Sequence, residues 1–340
     1  MNKAWQQFLI DSGADRLPGF AQSGLNTATG ETDTILAELG HLGLLRVSGD
    51  EAADFLQNLL SNDLTAVTES RSQLSSFCTA KGRMLAIFRL YQQSDSYVLR
   101  MPLEILDAFA RRLQMYVLRS NVTIETVSDY AGIGIAGPQA VELSGGILQL
   151  EQMEADAVQH RENCTILRVP GINRFEMYGP VTAMQTLWSQ LSTRLTPLSG
   201  LGWRLLDIEN GIPTVFASTS EHFVPQMTNL QLVGGVSFKK GCYPGQEVVA
   251  RMQYLGKLKR RMYRVRFQTQ ETPAPGTAIV AWDGERTHEA GEIVDACSNS
   301  EQTEALAVLP IADADKVLHI HDEHGPRLEL LDLPYPFPEA

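Results

Sequence analysis

The chain has 340 residues, 44% hydrophobic and 20% charged, enough for two or three domains with packed cores and too apolar for wholesale disorder. A net charge of −12 argues against a surface that wraps nucleic acid. Four scattered cysteines, Cys78, Cys164, Cys242 and Cys297, form no CxxC pair, which excludes a zinc ribbon or a disulfide framework and predicts reduced thiols.

Residues 4–11 predict a short amphipathic helix, followed by an irregular lead-in, "GADRLPGFAQSGLNTATGETDT". "LGLLRVSG" (42–49) predicts a strand, with Asp50 capping a helix whose Ala53, Phe55, Leu56, Leu59 and Leu60 share one face. "SQLSSFCTAKGRMLAIFRLYQQSDSYVLRM" predicts strands broken by a Lys-Gly turn at 81–82 and a polar turn at 92–96. Pro102 opens a helix to about Leu118, and "NVTIETV" returns as a strand, a split βαβ or ferredoxin-like plan. "GIGIAGPQAVEL" echoes the first strand–turn–helix, and "TILRVPG", "RFEMYG" and "VTAMQTLWSQLSTR" add two strands and a helix. From about Arg261, short alternating runs separated by turns predict a small antiparallel β-barrel. The fold class is therefore α+β, with domains expected at 1–130, 131–254 and 255–340. No apolar run approaches 18 residues and the N-terminus lacks an apolar leader, so no membrane span is expected and a cytoplasmic location is expected.

Charge is uneven. Between Lys239 and Arg266 nine cations face one acid, Glu247, giving +8 there and −20 elsewhere. That suits a small anionic ligand or a phosphate-bearing partner, or else a solvated strand edge. Within the segment, "KKGCYPGQE" sets Cys242 beside Lys239 and Lys240, cations that favour a thiolate, between the permissive Gly241 and Gly245 and the stiffening Pro244. Gln246 and Glu247 add an amide and a carboxylate. An ordinary small residue in a loop would read the same way. One cysteine cannot hold zinc or a cluster by itself, so no metal or cluster is expected on this chain alone.

In "GWRLLDIENGIPTV", Trp203 and Glu209 could pair an indole face with a carboxylate around a flat heteroaromatic ring, or be a core tryptophan and a helix-surface glutamate. "HIHDEH" places His319, His321 and His324 close together, and a hairpin turn explains them better than a metal site. P-loop, GxGxxG, HExxH and GxSxG motifs are absent.

The run "VPQMTNLQLVGGVSFKKGCYPGQEVVARMQYLGKLKRR" closely resembles the signature of the YgfZ family, K-G-C-Y-x-G-Q-E, at Lys240, Gly241, Cys242, Tyr243, Gly245, Gln246 and Glu247. "LLRVSGDEAADFLQNLLSNDL", "CTAKGRMLAIFRLY" and "DIENGIP" are also similar to that family and to its relative, the glycine-cleavage T-protein, an aminomethyltransferase. The resemblance implies a tetrahydrofolate-binding α+β body with an appended β-barrel, and a role in assembling or repairing iron–sulfur enzymes, including those that thiolate tRNA. It implies Trp203 and Glu209 as folate residues and Cys242 as the reactive or ligand-contacting thiol. A second folate-associated tryptophan of the family is replaced here by Leu42. The T-protein's catalytic aspartate falls at about Ala86, with no acid between Gly82 and Leu90. Without that carboxylate, folate binding is expected without aminomethyl transfer. The expected cofactor is tetrahydrofolate or a derivative, and the expected partners are iron–sulfur enzymes or assembly factors. A one-carbon transferase using Cys242 or Glu247, and a module binding tRNA directly through 251–266, are the alternatives; the acidic remainder argues against the second.

Overall fold

The computed structural model describes residues 2–13, 34–148, 150, 153–269, 271–298 and 302–338; residues 14–33 of the expected lead-in lie outside the described residues. Helix α1 (Lys3–Asp11) is capped by Asn2, whose Oδ1 accepts from the N–H groups of Ala4 and Trp5, and it buries Trp5 and Leu9. Strands β1 (Ile35–Glu38) and β2 (Leu42–Ser48) lead into α2 (Ala52–Gln57), shorter than the sequence suggested. Asp50 is engaged elsewhere: its carboxylate accepts from the Asn121 amide at 3.1 Å, while Glu51 accepts from the Asn121 backbone N–H at 2.5 Å.

Strands β3 (Gln73–Cys78), β4 (Met84–Gln93) and β5 (Ser96–Pro102) precede α3 (Leu103–Gln114). That helix buries Ile105, Leu106, Phe109 and Leu113 on one face and ends in Arg111 and Arg112, cations suited to its C-terminal dipole. Then come β6 (Thr123–Thr126), β7 (Tyr130–Ala136), α4 (Ala140–Leu143), β8 (Val158–His160), β9 (Thr165–Val169), β10 (Arg174–Pro180), α5 (Val181–Leu191), β11 (Thr196–Leu198), α6 (Gly200–Glu209) and α7 (Gln246–Tyr254). The C-terminal strands are β12 (Arg260–Phe267), β13 (Ala278–Trp282), β14 (Thr287–Ser298), β15 (Thr303–Pro310), β16 (Val317–Ile320) and β17 (Glu329–Leu331).

Two compact units result, one from Met1–Phe55, Thr65–Gln73 and Arg89–Trp203, the other from Leu56–Leu64, Leu74–Phe88 and Arg204–Ala340. In the first, a sheet of order β11-β1-β7-β10-β9-β8 packs one face on α1 and α5 around Trp5, Leu36, Ile133, Phe175, Met184 and Trp188. Its β1–β11 pair is parallel and its other pairs antiparallel. A five-stranded sheet has the order β3-β4-β5-β2-β6. These are the α+β elements the sequence predicted.

The glycines of "AGIGIA" have a steric role. In β7, a Cβ on Gly132 would stand 2.6 Å from the Tyr178 ring, and one on Gly134 would stand 2.6 Å from the Trp203 indole. Each opens space for one aromatic side chain.

In the second unit the antiparallel sheet β16-β13-β14-β15-β12-β17 curls around Val265, Ile279, Ala305, Ala307 and Leu318. A bridge between His319 and Arg327, with the Leu328 N–H donating to the Leu318 carbonyl at 2.9 Å, stitches β16 to the approach of β17. This is the barrel-like end expected from the short alternating runs. The histidines serve it: His319 Nδ1 lies 2.8 Å from the Gly325 carbonyl, and His321 takes a left-handed φ of +67° in the turn.

Candidate functional site

The Cys242 loop is pegged from below. Lys240 is buried, and its Nζ donates to the Gln57 and Leu60 carbonyls, each at 2.5 Å, where α2 ends. A cation there satisfies the Gln57 carbonyl that the helix leaves open, together with that of Leu60 just beyond it, and meets the negative end of the helix dipole. Burial lowers its pKa to about 8, against the pull of the Asp63 carboxylate. The Tyr243 ring lies under the same ammonium, 5.2 Å away, and is itself buried. Ser61 and Asn62 hold the preceding stretch: Ser61 Oγ donates to the Gly235 carbonyl at 2.9 Å, and the Asn62 amide donates to that of Gly234 at 2.7 Å.

Gly245, at φ +82°, starts α7. A Cβ there would stand 2.4 Å from the Thr79 carbonyl oxygen and 2.6 Å from the Gly82 Cα. The Lys-Gly turn at 81–82 and the Pro-Gly turn at 244–245 therefore touch backbone to backbone, which requires glycine. Gln246 closes the loop, its amide donating to the Lys240 carbonyl at 3.4 Å, and Glu247 is exposed in the first turn of α7.

Cys242 and Gly241 remain exposed at the tip. The other three thiols are buried. Burial pushes Cys78 and Cys297 up to about 12 and Cys164 to about 11. Cys242 is thus the one cysteine open to a reagent or partner, and sequence reasoning found it. It missed the supports from a distant stretch of chain, the backbone carbonyls of Gln57 and Leu60 and the short polar side chains of Ser61 and Asn62.

Trp203 is fully buried in the first unit. Its Nε1–H donates to Glu176 at 3.1 Å, and the Arg174 guanidinium lies 4.6 Å from its ring centre. Glu176 also receives two bonds from Arg100, at 2.7 and 3.1 Å, and one from the Tyr178 hydroxyl at 3.0 Å. Arg174, Glu176 and Tyr178 alternate along β10 and share one face, a period-two signal that "RFEMYG" contained and the sequence reading passed over. Tyr178, in turn, lines a cavity of about 250 Å³ with Leu42, Gly43, Leu106, Asp107 and Tyr130. Trp5 also borders it, and its indole N–H is buried without a hydrogen-bond partner.

Glu209 sits at the other end of α6, half-buried. Six residues apart at about 100° each, Trp203 and Glu209 leave the helix about 120° apart, so α6 does not set them on one face. Glu209 belongs to the second unit, where its charge bears on the Cys297 thiol. There Arg204 pairs with the buried Asp295 of β14 and covers the Phe216 ring at 5.0 Å. The register slip between Ile293 and Asp295 turns that carboxylate to its partner.

Part of the basic stripe is engaged within the protein. Arg264 binds Glu304 at 2.5 and 2.8 Å, Arg266 binds Glu329 at 2.7 Å, and Arg261 lies 4.2 Å from the Phe337 ring centre. Ala86 is fully buried in β4. Among the described residues, no group of three or more His, Cys, Asp or Glu is placed to hold a metal, and no helix is long and apolar enough to cross a membrane.

Residues 26–240 match the family model of the GCVT N-terminal domain. The chain is 32% identical over 263 residues to the tRNA-modifying protein YgfZ of Colwellia psychrerythraea, covering 77% of this chain and 81% of that protein. It is 31% identical over 308 residues to the protein of the same name from Yersinia pestis, covering 89% and 93%. Among solved structures, the glycine cleavage system aminomethyltransferase T of Bartonella henselae superposes with a TM-score of 0.71 at 15% identity, over 90% of this chain and 87% of that one. That last likeness is one of fold.

Proposed function

The chain belongs to the YgfZ family, and on that premise we propose that it serves tRNA modification as a tetrahydrofolate-binding accessory protein that helps assemble or repair iron–sulfur enzymes. The observation that carries this reading is the Cys242 loop. A single exposed thiol is held at the tip of a turn by a buried lysine, a buried tyrosine and two touching glycines. A group so rigidly presented suits contact with a cluster, a folate or a partner's thiol, and it acts here with ligands supplied from outside the chain.

For folate, the cavity beside Tyr178 supports a pterin-sized group. At about 250 Å³ it falls below the usual range for whole drug-sized ligands, roughly 300–1,000 Å³, so a bicyclic ring fits and the remainder would extend outward. Asp107 can accept from ring N–H groups, Tyr178 and Tyr130 offer aromatic surface, and the Trp5 N–H is a spare donor. Trp203 then acts behind the wall, bracing Tyr178 through Glu176. Glu209 is a separate candidate carboxylate. Ala86 supplies no charge, so the aminomethyl transfer of the T-protein is not the activity proposed.

Calorimetric titration of tetrahydrofolate into the wild type, Leu106→Trp, Trp203→Phe, Glu209→Gln and Cys242→Ala tests both halves. Saturable binding that Leu106→Trp blocks and Cys242→Ala keeps is expected, with Cys242→Ala failing to restore iron–sulfur enzyme activity to a deletion strain. No heat of binding would remove folate from the reading. Full restoration by Cys242→Ala would remove the thiol.

A further inference from the structure

Helix α7 carries the signature glutamine and glutamate at its start, but most of its surface is not used by the Cys242 loop. Its inner side is fixed: Val249 is fully buried, and its carbonyl accepts from the buried Gln226 amide at 2.6 Å. The outer side is apolar and open. Val248 is 38% exposed, Tyr254 67% and Leu255 85%, and Met252 is partly exposed between them. Val248, Met252 and Leu255 stand at i, i+4 and i+7, the spacing with which an amphipathic helix seats itself in a groove. Phe238 meets Tyr254 edge to face at 6.1 Å and steadies that ring.

Charge surrounds this stripe. Arg251 lies on it and Lys257 follows it, both exposed. Lys239 precedes Cys242, and Lys81 tops the turn whose Gly82 packs against Val248. None of the four cations makes an ion pair among the described residues. With Glu247 the only acid at positions 239–257, this face carries +3 on a chain whose remainder carries −15. Exposed aliphatic anchors ringed by unpaired cations are the composition of an interface, and on an acidic protein they select an acidic partner.

We propose that the outer face of α7, with Lys81 and Lys239, is a docking surface for a protein that presents an apolar groove rimmed by carboxylates, and that docking brings that protein to Cys242. The inference deepens the accessory-protein reading and rests on it. Val248 and Leu255 favour a protein over RNA, because aliphatic side chains fill grooves but give bases no plane to stack on. The cations speed encounter and set orientation, and the apolar anchors hold the complex.

The test places a photo-crosslinking amino acid at Val248 or Leu255 of the full chain in its native host, with a control at Trp282, exposed on β13. The expected result is a discrete protein adduct from both α7 positions and none from the control. The doubly reversed Arg251→Glu, Lys257→Glu chain should lose at least tenfold of that adduct, and the partner's crosslinked segment should be flanked by Asp and Glu. Absence of an adduct, an adduct indifferent to charge reversal, one removed by ribonuclease, or one of twice the chain's own mass would overturn the proposal. Tetrahydrofolate titration and thiol labelling of the charge-reversed chain separate this failure from that of the accessory-protein reading, since neither uses Arg251 or Lys257.

Discussion

Gly241 and Gly245 flank the same cysteine and differ in what holds them to glycine. Gly245 combines a left-handed φ with backbone neighbours at 2.4 and 2.6 Å from any added Cβ. Gly241 has ordinary φ and open space around it. Gly245→Ala should therefore cost about 2 kcal/mol or more from backbone strain and collision, whereas Gly241→Ala should stay within about 0.5 kcal/mol. Urea unfolding of the two variants measures this, and equal costs would refute the packing described between the two turns. If Gly241→Ala also impairs function, the space above it is occupied in the working complex. The same loop makes a second prediction. A mild thiol reagent at pH 8 should modify one cysteine of the native chain quickly and all four only in denaturant, because Cys78, Cys164 and Cys297 are buried with raised pKa values. Cys242→Ser should abolish the fast phase, and a second fast thiol would contradict the burial seen here.

At the scale of elements, strand β10 and helix α6 meet through a buried carboxylate. Glu176 takes hydrogen bonds from Arg100, Tyr178 and Trp203 and has no exposure to water. Glu176→Ala removes the buried acceptor shared by a guanidinium, a phenol and an indole N–H and should cost about 3–5 kcal/mol. Trp203→Phe removes one donor and should cost about 1–3 kcal/mol. Thermal unfolding with both variants checks the order, and a Glu176→Ala loss below that of Trp203→Phe would mean Arg100 is compensated by another group. Much of this architecture was legible. The strands around "LGLLRVSG", "TILRVPG" and "RFEMYG" and the C-terminal alternating runs follow from period and turn chemistry. The site's long-range pairings did not, since no local pattern says that Lys240 reaches α2 or that Gly134 makes room for Trp203. Asp50 shows the limit in the other direction: a good capping residue found a distant amide instead.

Across the whole molecule, charge decides whether the protein could bind tRNA directly. The sequence places nine cations between Lys239 and Arg266, but Lys240 is buried, Arg264 and Arg266 are paired, and Arg261 is stacked. Lys239, Arg251, Lys257, Lys259 and Arg260 are left, with Lys81 nearby, on a chain of net −12. Six phosphate contacts at most would give log K a slope of about −4 to −5 against log salt, and the acidic remainder would weaken every one of them. Fluorescence anisotropy with labelled bulk tRNA should therefore show no saturable binding below about 10 μM at 0.15 M salt, the middle of the range of non-specific affinity. Such weakness would favour the proposed accessory role, in which any link to tRNA runs through partner enzymes, over direct binding. Submicromolar binding with a steeper slope would instead require Glu304 and Glu329 to release their arginines to the nucleic acid, and β12 would then be the RNA-binding strand. Substituting those two glutamates by glutamine separates the cases: it should strengthen binding only if the arginines are the ones being read.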